Sequence, residues 1–109
     1  MPAVVTGANR GIGAAIFKEL QTRGIDTIGT SRTPTNDFIT ADVTKRQSVD
    51  LLAKHLDGQP VPLLVCNAGV LLDRNEKLAD GYAPEIWAAC FEVNVTGVFL
   101  TVQALLPQL

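Results

Sequence analysis

A metal ion would find little to hold in this 109-residue chain, which has one histidine, His55, and two cysteines, Cys66 and Cys90, at no ligand spacing. Both cysteines sit inside apolar stretches and read as buried free thiols in a reducing compartment. No run of Lys or Arg could track a phosphate backbone, and the net charge is −2, so nucleic acid is not expected as a principal partner. No uninterrupted apolar run approaches the ~20 residues that cross a bilayer. Residues 1–5 are too short for the apolar core of a signal peptide. The expectation is a soluble, cytoplasmic chain with no membrane partner. Serine and tyrosine are scarce as well: Tyr82 is the one tyrosine, and Ser31 and Ser48 are the only serines.

What is present fits a folded protein. Hydrophobic residues make up 47% and charged residues 18%. The length suits one domain over residues 1–109.

Ala3-Val4-Val5 reads as a short buried strand running into the turn Thr6-Gly7. Ile12, Ala15, Ile16 and Leu20 then recur at helical spacing, with Gly24 just past the last turn. Residues 25–30 predict a second strand, 33–36 a turn cluster, and 38–41 a third strand. Thr44, with Gln47 three residues on, has the form of a capping box for a helix that buries Val49, Leu52, Ala53 and Leu56. Residues 57–60 break that helix, and 61–66 read as a strand covered on both faces. Pro84 suits the first turn of a helix carrying Ile86, Ala89, Cys90 and Val93. A final helix is expected to bury Val95, Val98, Phe99, Val102, Leu105, Leu106 and Leu109, with Leu100 and Ala104 widening the stripe. The order β-α-β-β-α-β-α-α predicts an α/β fold with a parallel sheet and right-handed crossovers.

The turn Thr6-Gly7-Ala8-Asn9-Arg10-Gly11-Ile12-Gly13 joins the first strand to the first helix. Gly7 would allow the tight turn, Gly11 would admit a pyrophosphate against bare backbone, and Gly13 would let the helix pack close to the sheet. Free N–H groups at the helix start favour phosphate. A tight strand-to-helix connection without any ligand would use the same glycines.

The spacing T-G-x-x-x-G-I-G resembles the short-chain dehydrogenase/reductase family. Asp42-Val43, Asn67-Ala68-Gly69 and Asn94 in Val93-Asn94-Val95 match further motifs of that family, in its order. The resemblance implies a truncated Rossmann-type doubly wound sheet of about four strands, order 3-2-1-4, with helices on both faces. It implies a dinucleotide site formed by Gly7, Asn9, Arg10, Gly11, Ile12, Gly13, Ser31, Arg32, Asp42, Val43, Asn67, Ala68 and Gly69. Asp42 and Val43 would meet the adenine; Asn67 to Gly69 would steady the sheet and line the ribose.

An NAD site usually carries a carboxylate at the end of its second strand. Here Gly29-Thr30-Ser31-Arg32 stands there, and Arg10 lies in the glycine turn. Two guanidinium groups favour NADP(H) over NAD(H), because Arg matches phosphate bidentately. Two solvated surface arginines would give the same pattern.

The family's chemistry uses a Ser and a Tyr with a Lys four residues later. The residue four beyond Tyr82 is Ile86, and Tyr82 precedes Asn94, whereas the family's tyrosine follows it. Asn94 is thus the only member of the implied catalytic set, and the chain alone is expected to be inactive. A small carbonyl or alcohol substrate is expected only if more chain exists. The strand at 61–66 and the last helix would be left uncovered, which predicts a homo-oligomer. A fragment of a longer enzyme, a self-associating nucleotide-binding or structural module, and an unrelated activity on this fold all remain open.

Overall fold

A computed structural model describes residues 1–109. Strand β1 is Ala3–Val5, helix α1 Gly11–Thr22, β2 Thr27–Ser31, β3 Ile39–Thr40, α2 Arg46–Leu56 and β4 Leu63–Val65. Helices α3, Pro84–Phe91, and α4, Gly97–Leu105, follow. The strands form one parallel sheet in the order β3-β2-β1-β4. The alternation of strands and helices predicts the parallel sense, and the Rossmann-like order is the one the family resemblance implies. Strand β1 has the expected bounds, while β2, β3 and β4 are shorter than expected and β2 ends one residue later, at Ser31.

Alternation along the strands sorts the two faces. Val4 packs with Leu52 and Leu56 of α2, Val61, and Leu105 of α4, so α2 and α4 share one face. The opposite face receives α1, where the Phe17 and Phe38 rings meet edge to face at 5.1 Å between centroids. Val49, Leu52 and Leu56 of α2 are buried as predicted.

Several local expectations are corrected. Ile12 is 74% exposed and Ala15 is exposed; Gly13, Ile16, Phe17 and Leu20 form the inward face of α1 instead. Thr44 does not cap α2, because its hydroxyl donates to Asp42 Oδ1 at 2.7 Å; Lys45 stands at the N-cap. A short-range carboxylate outcompetes the helix amides for that hydroxyl.

The two final helices are one. Residues Glu92–Thr96 form a π turn that joins α3 to α4, and the helix runs continuously over Pro84–Gln108. At 25 residues, with a mean hydropathy of 1.5 over its most apolar window, it is long and apolar enough to cross a bilayer. The absence of an uninterrupted apolar run had argued otherwise. Only 17% of that window is buried within the chain. Its packed face is Gly97, Leu100, Thr101 and Leu105, while Val95, Phe99, Val102, Leu106 and Leu109 from the expected stripe are exposed. A π turn holds more than 3.6 residues per turn, so it rotates everything after it relative to an ideal helix.

Candidate functional site

The strand ends open onto a groove of about 410 Å³, at the place where open α/β sheets bind ligands. Its floor is the glycine turn, held by long-range hydrogen bonds. Thr6 Oγ1 accepts from the Asn67 and Ala68 amides, each at 3.0 Å. Asn67 Nδ2 donates to the Gly7 carbonyl at 3.1 Å, and the Ala8 amide donates to the Thr30 carbonyl at 2.8 Å. The turn after β1 is thereby fixed to β2 and β4 together.

Gly11 has φ +58°, a left-handed conformation that disfavours any side chain, and the space where a Cβ would stand is empty. Bare backbone therefore faces the groove at the start of α1, where the first-turn N–H groups lack helical acceptors. Gly13 is required for contact: a Cβ there would run into the Gly7 carbonyl and the Asn67 side-chain amide. The close approach is to the turn itself, a sharper reason than the helix-to-sheet packing expected.

The groove brings together most of the residues singled out above. Gly7, Asn9, Arg10, Gly11 and Ile12 line it from the turn, and Ser31 and Arg32 from the end of β2. Asp42 and Val43 line it beyond β3, and Asn67, Ala68 and Gly69 beyond β4. Thr33, Ala41, Val70 and Val93 also line it and were not foreseen. Thr33, Ala41 and Val70 are chain neighbours of foreseen positions, which is the signal that could have found them; Val93 precedes Asn94 on the long helix. Gly13 lies beneath the turn and does not line the groove.

Asp42 is tied down. Its Oδ1 accepts from the Thr44 amide at 2.9 Å and from the Thr44 hydroxyl, while its own amide donates to Ser48 Oγ at 2.8 Å. Partial burial works to raise its pKa, but the Thr44 hydrogen bonds, Lys45 and Arg32 outweigh it and hold the carboxyl below its ordinary value. Ser31 differs. It is 1% exposed, its hydroxyl is enclosed, and that hydroxyl has no hydrogen-bond partner.

Asn94 stands in the π turn, beside the groove rather than on its wall. Its side-chain amide pairs with both backbone groups of Val70: Oδ1 accepts from the amide and Nδ2 donates to the carbonyl, each at 2.8 Å. This pairing clamps the loop after β4 to the long helix.

Tyr82 sits in a separate apolar hollow with Trp87, Cys90 and Phe91. Enclosure of its hydroxyl, with the Asp73 and Glu76 carboxylates and Cys90 nearby, pushes its pKa up to about 12. Such a phenol is a poor acid or base at neutral pH. Burial likewise pushes the Cys66 thiol up, away from reactivity. No cluster of three His, Cys, Asp or Glu side chains could hold a metal ion.

The family model described as short chain dehydrogenase matches residues 2–109. The chain belongs to that family. Among curated relatives, an uncharacterized oxidoreductase of Staphylococcus haemolyticus is 34% identical over 122 aligned residues, covering 97% of this chain and 51% of its own. The chain thus spans about half the length of the curated relatives it matches. Among solved structures, an NADPH-bound carbonyl reductase from chicken fatty liver superposes with a TM-score of 0.85 at 25% identity, covering 98% of this chain and 50% of its own. A 3-ketoacyl-(acyl-carrier-protein) reductase from Brucella melitensis, complexed with NADH, gives 0.84 at 27% identity, with 98% and 49% covered.

Proposed function

We propose that this chain is the NADP(H)-binding portion of a short chain dehydrogenase that interconverts a carbonyl compound and an alcohol. Bound there, the cofactor's nicotinamide would give or accept the hydride. The backbone at Gly7 and Gly11 would hold the pyrophosphate, Asp42 and Val43 would border the adenine, and Asn67 to Gly69 would border the ribose. The similar structures include both an NADPH complex and an NADH complex, so likeness does not choose between the cofactors.

The observation that carries the choice is the pair Arg10 and Arg32, which line the same groove with Ser31 rather than a carboxylate at the end of β2. Two guanidinium groups favour a 2′-phosphate and offer nothing special to a bare ribose. Calorimetric titration of the chain with NADPH and NADH tests this. Tighter NADPH binding by roughly tenfold or more is expected from one or two charge-assisted contacts; equal affinities would sink the preference.

Catalysis by the chain alone is not expected. Its one tyrosine is enclosed away from the groove, at a pKa of about 12, with Ile86 four residues on. Carbonyl reduction with NADPH by the purified 109-residue chain would refute this.

A second reading rests on the long helix. Trp87, Phe91, Val95, Phe99 and Leu106 are each about half exposed or more along it. Exposed apolar stripes of this kind mark contact surfaces, and self-association through this stripe and the open edge of β4 is the reading they favour. Light scattering that finds a monodisperse monomer would count against it.

A further inference from the structure

Glycine is a poor helix former, yet Gly97 stands inside the continuous helix Pro84–Gln108. Its φ of −60° and ψ of −38° are ordinary helical values that any residue adopts. The backbone there does not call for glycine; the space beside it does. A Cβ at Gly97 would stand 2.6 Å from Val43 Cγ2 and 3.2 Å from Val43 Cβ. The long helix and the segment after β3 therefore meet with no room for one methyl group.

Val43 has two sides. On one it packs with Val49 of α2 and Leu100 of the long helix in a small buried cluster, with Ala68 and Val93 against it. On the other it keeps 7% of its surface open and lines the groove beside Asp42. Val93, four residues before Gly97, lines the groove as well. The long helix thus backs the groove directly at Val93, and through Val43 at Gly97. A β-branched side chain has little rotamer freedom, and a close-packed cluster passes strain on instead of absorbing it. With Val49 and Leu100 closing the inner side, a Val43 pushed from Gly97 would yield toward the groove.

We propose that Gly97 is a positioning residue of the groove, its bare Cα setting how far Val43 stands into the end that takes the base of a nucleotide. This rests on the nucleotide reading above and adds to it a residue that touches no ligand. A base held between walls is bound by many weak contacts at van der Waals distance. A wall advanced by part of an ångström would exclude the base and leave the sugar and phosphate positions as they were. The long helix is in this way part of the binding apparatus, although its own contact is with a wall residue.

NMR titration with adenosine 5′-monophosphate and ribose 5-phosphate, which share a sugar phosphate and differ in the base, reads this without any turnover. The unaltered chain should bind the adenosine compound more tightly. Gly97→Ala should weaken that binding roughly tenfold and leave ribose 5-phosphate within about twofold. Made in a chain already carrying Val43→Ala, the same substitution should change adenosine 5′-monophosphate binding by no more than about twofold, because the atom nearest the added methyl is gone. If the unaltered chain binds the two compounds equally or not at all, the nucleotide reading falls and takes this one with it. If it prefers the adenosine compound and Gly97→Ala binds that compound unchanged, the nucleotide reading stands and the Gly97 assignment falls. Equal losses for both compounds, or the same loss with and without Val43→Ala, would show general damage to the fold and overturn the proposal. Should Gly97→Ala alone fail to fold, the double variant decides: adenosine 5′-monophosphate affinity within about twofold of Val43→Ala bears the proposal out, and a tenfold loss, or failure of the double variant to fold, overturns it.

Discussion

Around the glycine turn, backbone groups from β1, β2 and β4 are tied to one another by hydrogen bonds spanning up to 62 positions in the chain. Along the second half of the long helix the reverse holds: side chains such as Phe99, 59% exposed, and Leu106, 62% exposed, touch little. The turn is specified by its own neighbours, whereas half the helix surface is specified by nothing inside this chain. The contrast predicts where substitutions hurt. Changes at the turn should act on folding and ligand binding together, and changes on the exposed stripe should act on neither.

The sharpest form of this comparison is Gly13→Ala. The added methyl would meet the Gly7 carbonyl and the Asn67 amide, both already fixed by hydrogen bonds. Overpacking against backbone should cost about 3 kcal/mol and abolish nucleotide binding. Urea unfolding of the variant beside the unaltered chain measures it. A loss below about 1 kcal/mol would mean the turn yields more easily than its bonding suggests.

Thr6→Val should come next. It keeps the side-chain shape but removes the acceptor for the Ala68 amide and leaves the Asn67 amide only the Val65 carbonyl. A loss of about 2 kcal/mol is expected, because a donor held away from water keeps its desolvation cost. If hydrogen exchange at Ala68 is no faster in the variant, a different acceptor has replaced the hydroxyl.

Phe99→Ser probes the other side of the comparison. Its stability should stay within about 0.5 kcal/mol of the unaltered chain. Any self-association seen by light scattering should fall, since the stripe loses its central ring. Unfolding as severe as that of Gly13→Ala would erase the distinction between the two regions.

The same contrast explains what could be read from the sequence. Gly7 and Gly11 answer to backbone geometry that a few neighbouring residues define, so their spacing pointed to the turn, whereas Asn67, tied to Thr6 and Gly7 across some 60 positions, came only with the family resemblance. The parallel sense followed from the alternation of elements, and the strand order from the family resemblance. The long helix was different, because apolar residues surround it and leave no single phase to read: Leu100 and Leu105 are buried beside exposed Val102 and Leu106. The π turn at Glu92–Thr96 then shifted the phase without any local sequence sign. Thr44 failed as a helix cap for a related reason, since the competitor Asp42 was two residues away and capping patterns do not consider it. Thr33, Ala41, Val70 and Val93 escaped notice because walls made of backbone and small apolar side chains carry no motif.

The smallest effect concerns pH, and it tests whether the turn side owes anything to charge. Asp42 has its folded pKa held below the unfolded value by Thr44, Lys45 and Arg32 against the opposing pull of partial burial. A depressed carboxyl contributes stability that is fully present above the unfolded pKa, which is 3.8, and is lost as pH falls through the lower folded value. Asp42→Asn, which keeps a carbonyl acceptor for Thr44, should therefore follow the unaltered chain in parallel at neutral pH. The two stability curves should converge only in acid, as the unaltered chain loses the carboxylate's share. That share is small because the group is largely solvated and screened. Convergence beginning at neutral pH would assign the pH dependence to another group, and curves parallel down to strong acid would mean that the Thr44 contacts hold Asp42 as well protonated as ionised. In the second case the turn side would be held without help from the Asp42 charge, which is the stricter version of the contrast with the helix.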